Sequence, residues 1–364
     1  MLKSVFSFVP GLLMMMGCVA PGTTEFEMDP ESFQPRSYVC QRTIQGITID
    51  GKLDEADWQD VAWTDFFVDI EGDKKPKPEW NTRVKMLWDD DFIYFAAELE
   101  EPHIWANILQ RDAVIFHDND FEIFIDPTGD THHYIEYEVN AFGTIWDLMI
   151  TKPYRDNGLI LNRWDMTGIR QAIGINGTIN NPTDRDHSWT VEVAIPLAVV
   201  KEACHNRHPK EGDMWRLNFS RVQWHTDVVD GHYVKRTNGE GKKLPEENWV
   251  WSPQGVIAMH QPETWGFLQF SETVAGQPAA KFVMPQDEWV KWALRQIYFR
   301  QTDFIHKNKR PASLKELSME RITLGKHLLI PELQVMGNQY QVRIRALDGD
   351  GWWNIRRDGY VWKE

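Results

Sequence analysis

The sequence predicts an all-β protein, an immunoglobulin-like or jelly-roll-like antiparallel β-sandwich with a small C-terminal α+β appendage. Three observations carry this. From Ile44 to Phe270, short alternating segments rich in β-branched and aromatic residues are punctuated by turn residues, and helical periodicity is scarce. From Asp287 to Lys307 apolar residues recur at helical spacing instead. Charge divides at the same place: residues 281–364 carry 15 Lys and Arg against 10 Asp and Glu, leaving 24 against 44 of the chain's 39 and 54 to the preceding residues.

In chain order, Met-Leu-Lys and the apolar run Val5 to Met16 read as a secretory signal, residues 1–18, too short for the roughly 20 residues a membrane-spanning helix needs. Met15-Met16-Gly17-Cys18 resembles the bacterial lipobox, which implies lipidation of Cys18 and a place in the bacterial cell envelope. The non-periodic, Pro- and Gly-containing stretch 19–37 is expected to be a flexible tether. In an exported protein the two remaining cysteines, Cys40 and Cys204, are a candidate disulfide.

The body of the sandwich is expected over residues 38–274. Its clearest element is a hairpin, Arg83 to Trp88 and Phe92 to Leu99 around the Asp89-Asp90-Asp91 turn. Further strands are expected at Asp120 to Ile125, Tyr134 to Asn140, Ile145 to Ile150, Trp189 to Ile195, Trp215 to Val222 and Gly266 to Phe270, with one or two helical turns at Pro196 to Ala203. Residues 281–364 then read as a helix with Trp292, Ile297 and Phe304 on one face, a second short helix starting at the capping box Ser313 to Glu316, and a meander with turns at Gly337-Asn338, Asp350-Gly351 and Asp358-Gly359. This unit is expected to be an accessory or protein-docking element.

The acidic body excludes nucleic acid as a partner, since phosphate binding needs clustered Lys and Arg. Neutral sugars stay open. The 18 Trp supply flat apolar faces, although most belong in a β-core.

Five motifs in order resemble the family 9 carbohydrate-binding modules, a DOMON-like sandwich: Ile49-Asp50-Gly51-Lys52-Leu53-Asp54-Glu55 with Trp58, Val84 to Tyr94, Asp118 to Asp126, Trp189 to Pro196 and Trp265 to Phe270. The resemblance implies non-catalytic binding of an oligo- or polysaccharide in a slot between two aromatic side chains, with calcium bracing loops. It places the first slot residue at Phe116, beside His117, and the second at Met259, beside His260, where a thioether replaces an aromatic platform. The polar floor falls on Glu122, Glu138 and Asn140, with Arg221 supplying the guanidinium that the family often has near the Glu138 position.

Calcium is expected at turn aspartates, with Asp89, Asp118 and Asp126 as ligands. Carboxylate pairs such as Asp120 with Glu122 and Glu136 with Glu138 meet the spacing of a glycosidase, without a catalytic scaffold around them. Haem-binding relatives make Met259 and His260 candidate axial ligands, but neighbours on one strand point to opposite faces.

Overall fold

The structure is a computed structural model and describes residues 24–364, so the signal segment and Cys18 lie outside the described residues. The principal strands are β1 (Ser37–Arg42), β2 (Thr82–Trp88), β3 (Phe92–Glu100), β4 (Asp120–Asp126), β5 (Tyr134–Asn140), β6 (Ile145–Ile150), β7 (Arg170–Asn176), β8 (Ser188–Pro196), β9 (Met214–Gln223), β10 (Glu247–Val250) and β11 (Gly266–Val274). They form one 13-stranded sheet in the order β7-β8-β3-β2-β1-β11-β9-β4-β5-β6, extended by short strands at its edges and by β10 on β9.

This sheet doubles over at β1, whose two neighbours, β2 and β11, both run parallel to it, while the other pairs are antiparallel. The two layers close on a shared core: Phe95 of β3 meets Phe219 of β9 edge-to-face at 5.6 Å, and Phe121 of β4 stacks on Phe219 at 5.8 Å. The predicted hairpin is β2–β3, and its turn forms because Asp89 Oδ1 accepts from the backbone N–H of Asp91 and Phe92. Gly51, in the first motif, has φ +84°, and a Cβ there would stand 2.8 Å from the Gly174 nitrogen, so only glycine fits. Glu192 locks that turn by accepting from the N–H of Asp50 and Gly51 and from Trp58 Nε1.

C-terminal to the sandwich come α1 (Asp287–Asn308) and a four-stranded antiparallel meander, β12 (Glu332–Met336), β13 (Gln339–Arg345), β14 (Trp352–Arg356) and β15 (Val361–Lys363). The Ser313–Glu316 box closes reciprocally, Ser313 N–H to Glu316 Oε2 at 2.8 Å and Glu316 N–H to Ser313 Oγ at 3.2 Å. It caps a turn rather than the expected helix, because the chain reverses at Ser318, φ 56°, and enters the strand Arg321–Leu324.

Two further expectations are corrected. The segment 24–37 is not a flexible tether: Glu25–Glu27 pairs in parallel with Arg321–Thr323, and Met28 and Phe33 are buried in the C-terminal core, with Phe33 stacked on Trp292 at 4.5 Å. Cys40 and Cys204 are free thiols, not a disulfide: β1 buries Cys40 in the sandwich core, while the Cys204 thiol donates to the Arg207 carbonyl at 3.3 Å.

Candidate functional site

Strand alternation on β4 sends Phe121, Ile123 and Ile125 into the core and leaves Asp120, Glu122, Phe124 and Asp126 on the outer face. The register with β5 sets Glu122 beside Glu138 and Phe124 beside Glu136, and β6 then sets Trp146 beside Glu138. Carboxylates and aromatics thus alternate across three adjacent strands. A second apolar cluster, including Phe124, Tyr134, Trp146 and the fully buried Trp265, covers this outer face, with Phe116 and Met259 packed at its edge.

Between the strand face and the overlying loops lies an open cleft of about 480 Å³. Phe116, Trp146, Tyr154 and Ile160 give it apolar walls, Glu122, Glu136 and Glu138 its floor, and Met259, His260 and Glu246 its rim. The size falls within the range of small-molecule sites. Phe116 and Trp146 have ring centroids 6.5 Å apart with planes inclined by 32°. Tyr154, half exposed, lies over His260 at 4.2 Å.

Burial dominates the electrostatics. It pushes the Glu122 carboxyl up to about 7, and holds Asp120, Glu136 and Glu138 well above the ordinary carboxylate range, with the mutual repulsion of these groups adding to it. Burial also lowers His260 to about 4, so its ring is neutral near pH 7, and its Nδ1 lies 3.0 Å from the Tyr134 hydroxyl.

Of the residues expected from the sequence, Phe116, Glu122, Glu138, Met259 and His260 meet in this cleft. Three do not. His117 is exposed and turned edge-on to Phe116. Asn140 is fully buried in structural bonds, donating to the Ile108 carbonyl and to Asp118 and accepting from the N–H of Phe142 and Thr144. Arg221 sits on the core side of β9, bonded to Glu101, Thr82 and the Glu100 carbonyl. The expected calcium ligands Asp89, Asp118 and Asp126 lie apart and are consumed by their own turns: Asp118 Oδ2 accepts from Asn107 and Ile108 N–H, and Asp126 from Gly129 and Thr131 N–H.

Met259 and His260 belong to a loop, not a strand, so both side chains reach the cleft and the alternation argument does not apply to them. A floor of carboxylates nevertheless suits a hydroxylated ligand and opposes the apolar face of a porphyrin. Trp146, Tyr154 and Phe124 were not singled out by the sequence. The one available signal was the Tyr134–Asn140 to Ile145–Ile150 hairpin, whose register puts Trp146 opposite Glu138.

A model of the carbohydrate family 9 binding domain-like family matches residues 49–266. No curated protein matches the chain. Among solved structures, a proposed carbohydrate-binding protein from Bacteroides uniformis ATCC 8492 is 16% identical with a TM-score of 0.46, over 65% of this chain and 100% of that one. A family 9 module from Caldicellulosiruptor kristjanssonii in complex with cellotriose is 14% identical with a TM-score of 0.38, and the module with glucose 15% with 0.38, each over 68% of this chain and 100% of that one. The family match spans more than half of the chain and all five of the motifs in whole or in part, and the chain belongs to the carbohydrate family 9 binding domain-like family.

Proposed function

We propose that this chain captures glycan by seating a sugar ring in the cleft against the aromatic walls formed by Phe116, Trp146 and Tyr154, without cleaving it. The observation that carries this is the pairing of apolar aromatic walls with hydrogen-bonding carboxylates in one open, ring-sized space. Aromatic faces stack on the C–H face of a sugar, and carboxylates discriminate its hydroxyls. Membership of a carbohydrate-binding family supports the same reading.

A glycan array followed by titration calorimetry tests it. Phe116→Ala and Trp146→Ala should each weaken binding of any glycan found by roughly five- to thirtyfold, since a lost stacking partner costs about 1–2 kcal/mol. Unchanged binding in both variants overturns the assignment of the cleft.

The same reading takes the protein to the bacterial cell envelope, anchored by lipid on Cys18, where it would hold glycan for uptake and breakdown. The charged start, apolar run and Gly17-Cys18 pair support this. Cys18→Ala should move the protein from the membrane to the soluble fraction and abolish labelling by a radioactive fatty acid.

A further inference from the structure

We propose that the cleft floor holds a hard divalent cation between the carboxylates of Asp120, Glu122 and Glu138. Oxygen atoms of these three carboxylates all lie within 4.8 Å of one another. Opposed ligands of a calcium ion, each 2.3–2.6 Å from the metal, are about 5 Å apart, so the spacing suits a shared ion.

Geometry alone would not separate a cation site from an ordinary acidic cluster; compensation does. A second acidic group, Asp112, Asp147 and Asp165, has the Arg111 guanidinium among its members, bonded to Asp147 and 3.5 Å from Asp165. Among the described residues no Lys, Arg or His makes an ion pair with Asp120, Glu122, Glu136 or Glu138. Lys235, which feels the charges of Asp118, Glu246 and Asp120, has its Nζ 3.3 Å from the Trp224 ring centroid and makes no ion pair with them.

The three carboxylates are also among the most buried polar groups of the chain, at 0%, 5% and 1% exposure. Burying an uncompensated carboxylate is costly, so such a group is paired, metal-bound or protonated, and a cation that binds here displaces the protons which burial otherwise holds on these groups. Unused ligand capacity belongs to the same group of residues and to a neighbour in register with it. Asp120 Oδ1 accepts from Val222 N–H, but Oδ2, fully buried, has no partner. The Ser220 hydroxyl, fully buried and in register with Glu122, is near enough to ease the Glu122 charge yet lacks a hydrogen bond of normal geometry. An all-oxygen donor set of this kind selects a hard ion over a transition metal.

Since Glu122 and Glu138 also line the cleft, the ion's open positions would face the bound sugar, and sugar hydroxyls would complete its shell. This last step rests on the sugar reading above; the cation site itself does not.

The test is calorimetric titration of the full chain, stripped with EDTA, with calcium, magnesium or manganese chloride and no sugar present. One saturable site is expected, together with a rise in Tm on adding the ion. Asp120→Asn and Glu122→Gln should each weaken it at least tenfold, while Asp303→Asn, an exposed carboxylate on α1 away from the cleft, should change it less than threefold. Because removing a buried charge does not unfold a protein that tolerates it, the Tm of each stripped variant serves as the check on folding. Absence of both heat and Tm change at roughly 10 mM cation, ten times the weakest extracellular calcium modules, overturns the site. If glycans then still bind in EDTA, the sugar reading survives alone; if the cation binds and no glycan does, the cation site survives alone.

Discussion

Glu122 shows how one residue sets the behaviour of its surroundings. Its pKa is raised to about 7 by burial, and Asp126 is raised to about 6 by the same cause, so both hold protons in the folded state that the unfolded chain has already released. Groups raised in this direction make stability fall as pH rises, here between about 4.5 and about 7 for Glu122, at about 1.4 kcal/mol for each unit one group lags. In EDTA the Tm should therefore drop across that interval, and Glu122→Gln should flatten the slope and raise the Tm at its upper end. A Tm that climbs with pH there would mean that the cleft carboxylates are already ionised and paired.

Residue scale is also where the sequence misled most. Asn140 and Arg221 have the polarity of ligands, but polarity does not say which way a side chain is spent. Asn140 caps the tight turn into β6, a local bond visible only once Phe142 and Thr144 fold back. Arg221 finds Glu101, 120 positions away in the chain, on the core side of its strand. Glu122 and Glu138 were legible because strand period alone assigns them to one face.

Among the elements, α1 decides how the C-terminal unit is held. Its first turn carries Glu288, which accepts from Arg216 of β9 at 2.9 Å and from Lys291 at 2.6 Å, while the Arg216 guanidinium covers the Phe267 ring at 3.8 Å. Arg216 and Glu288 are both buried, and while Lys291 would still pair with Glu288 if Arg216 were removed, removing Glu288 leaves the Arg216 charge uncompensated. Glu288→Ala should cost roughly 3 kcal/mol or more in urea denaturation; a loss below about 1 kcal/mol would place this pair among the weak surface bridges instead.

Elements were the most legible level of the sequence. The β2–β3 hairpin, β4 to β6, β8, β9 and α1 stand within a few residues of where alternation and helical spacing put them. Long-range pairing was not legible. β1 lies parallel to both its neighbours, and a strand that receives its partners from positions 82 and 266 onward carries no local sign of them. The hairpin of Thr226–Val229 with His232–Lys235 was likewise hidden inside a polar stretch.

At the scale of the whole molecule, the C-terminal unit is not a detachable docking module. Its core takes Met28 and Phe33 from the N-terminal segment and Phe267 from β11, so that the N-terminal segment and one strand of the sandwich share it. Arg295 of α1 adds bonds to Thr131 of the sandwich and to the Gly359 carbonyl of the meander. If Cys18 carries a lipid, only residues 19–23 separate it from the first described residue, a reach of at most about 22 Å when fully extended. The anchor would therefore hold the C-terminal core close to the membrane surface instead of letting the protein swing on a long leash.

Phe33 is the test of this arrangement, because it joins the N-terminal strap to both other parts: it stacks on Trp292 at 4.5 Å and meets Phe267 edge-on at 6.4 Å. Phe33→Ala removes a buried ring from the junction and should cost about 3–5 kcal/mol. Since the strap, α1 and β11 lose contact together, limited proteolysis should open residues 24–36 and 309–320 first. Loss of less than about 1 kcal/mol, with no new cleavage in either segment, would show that the strap lies on the molecule without holding it.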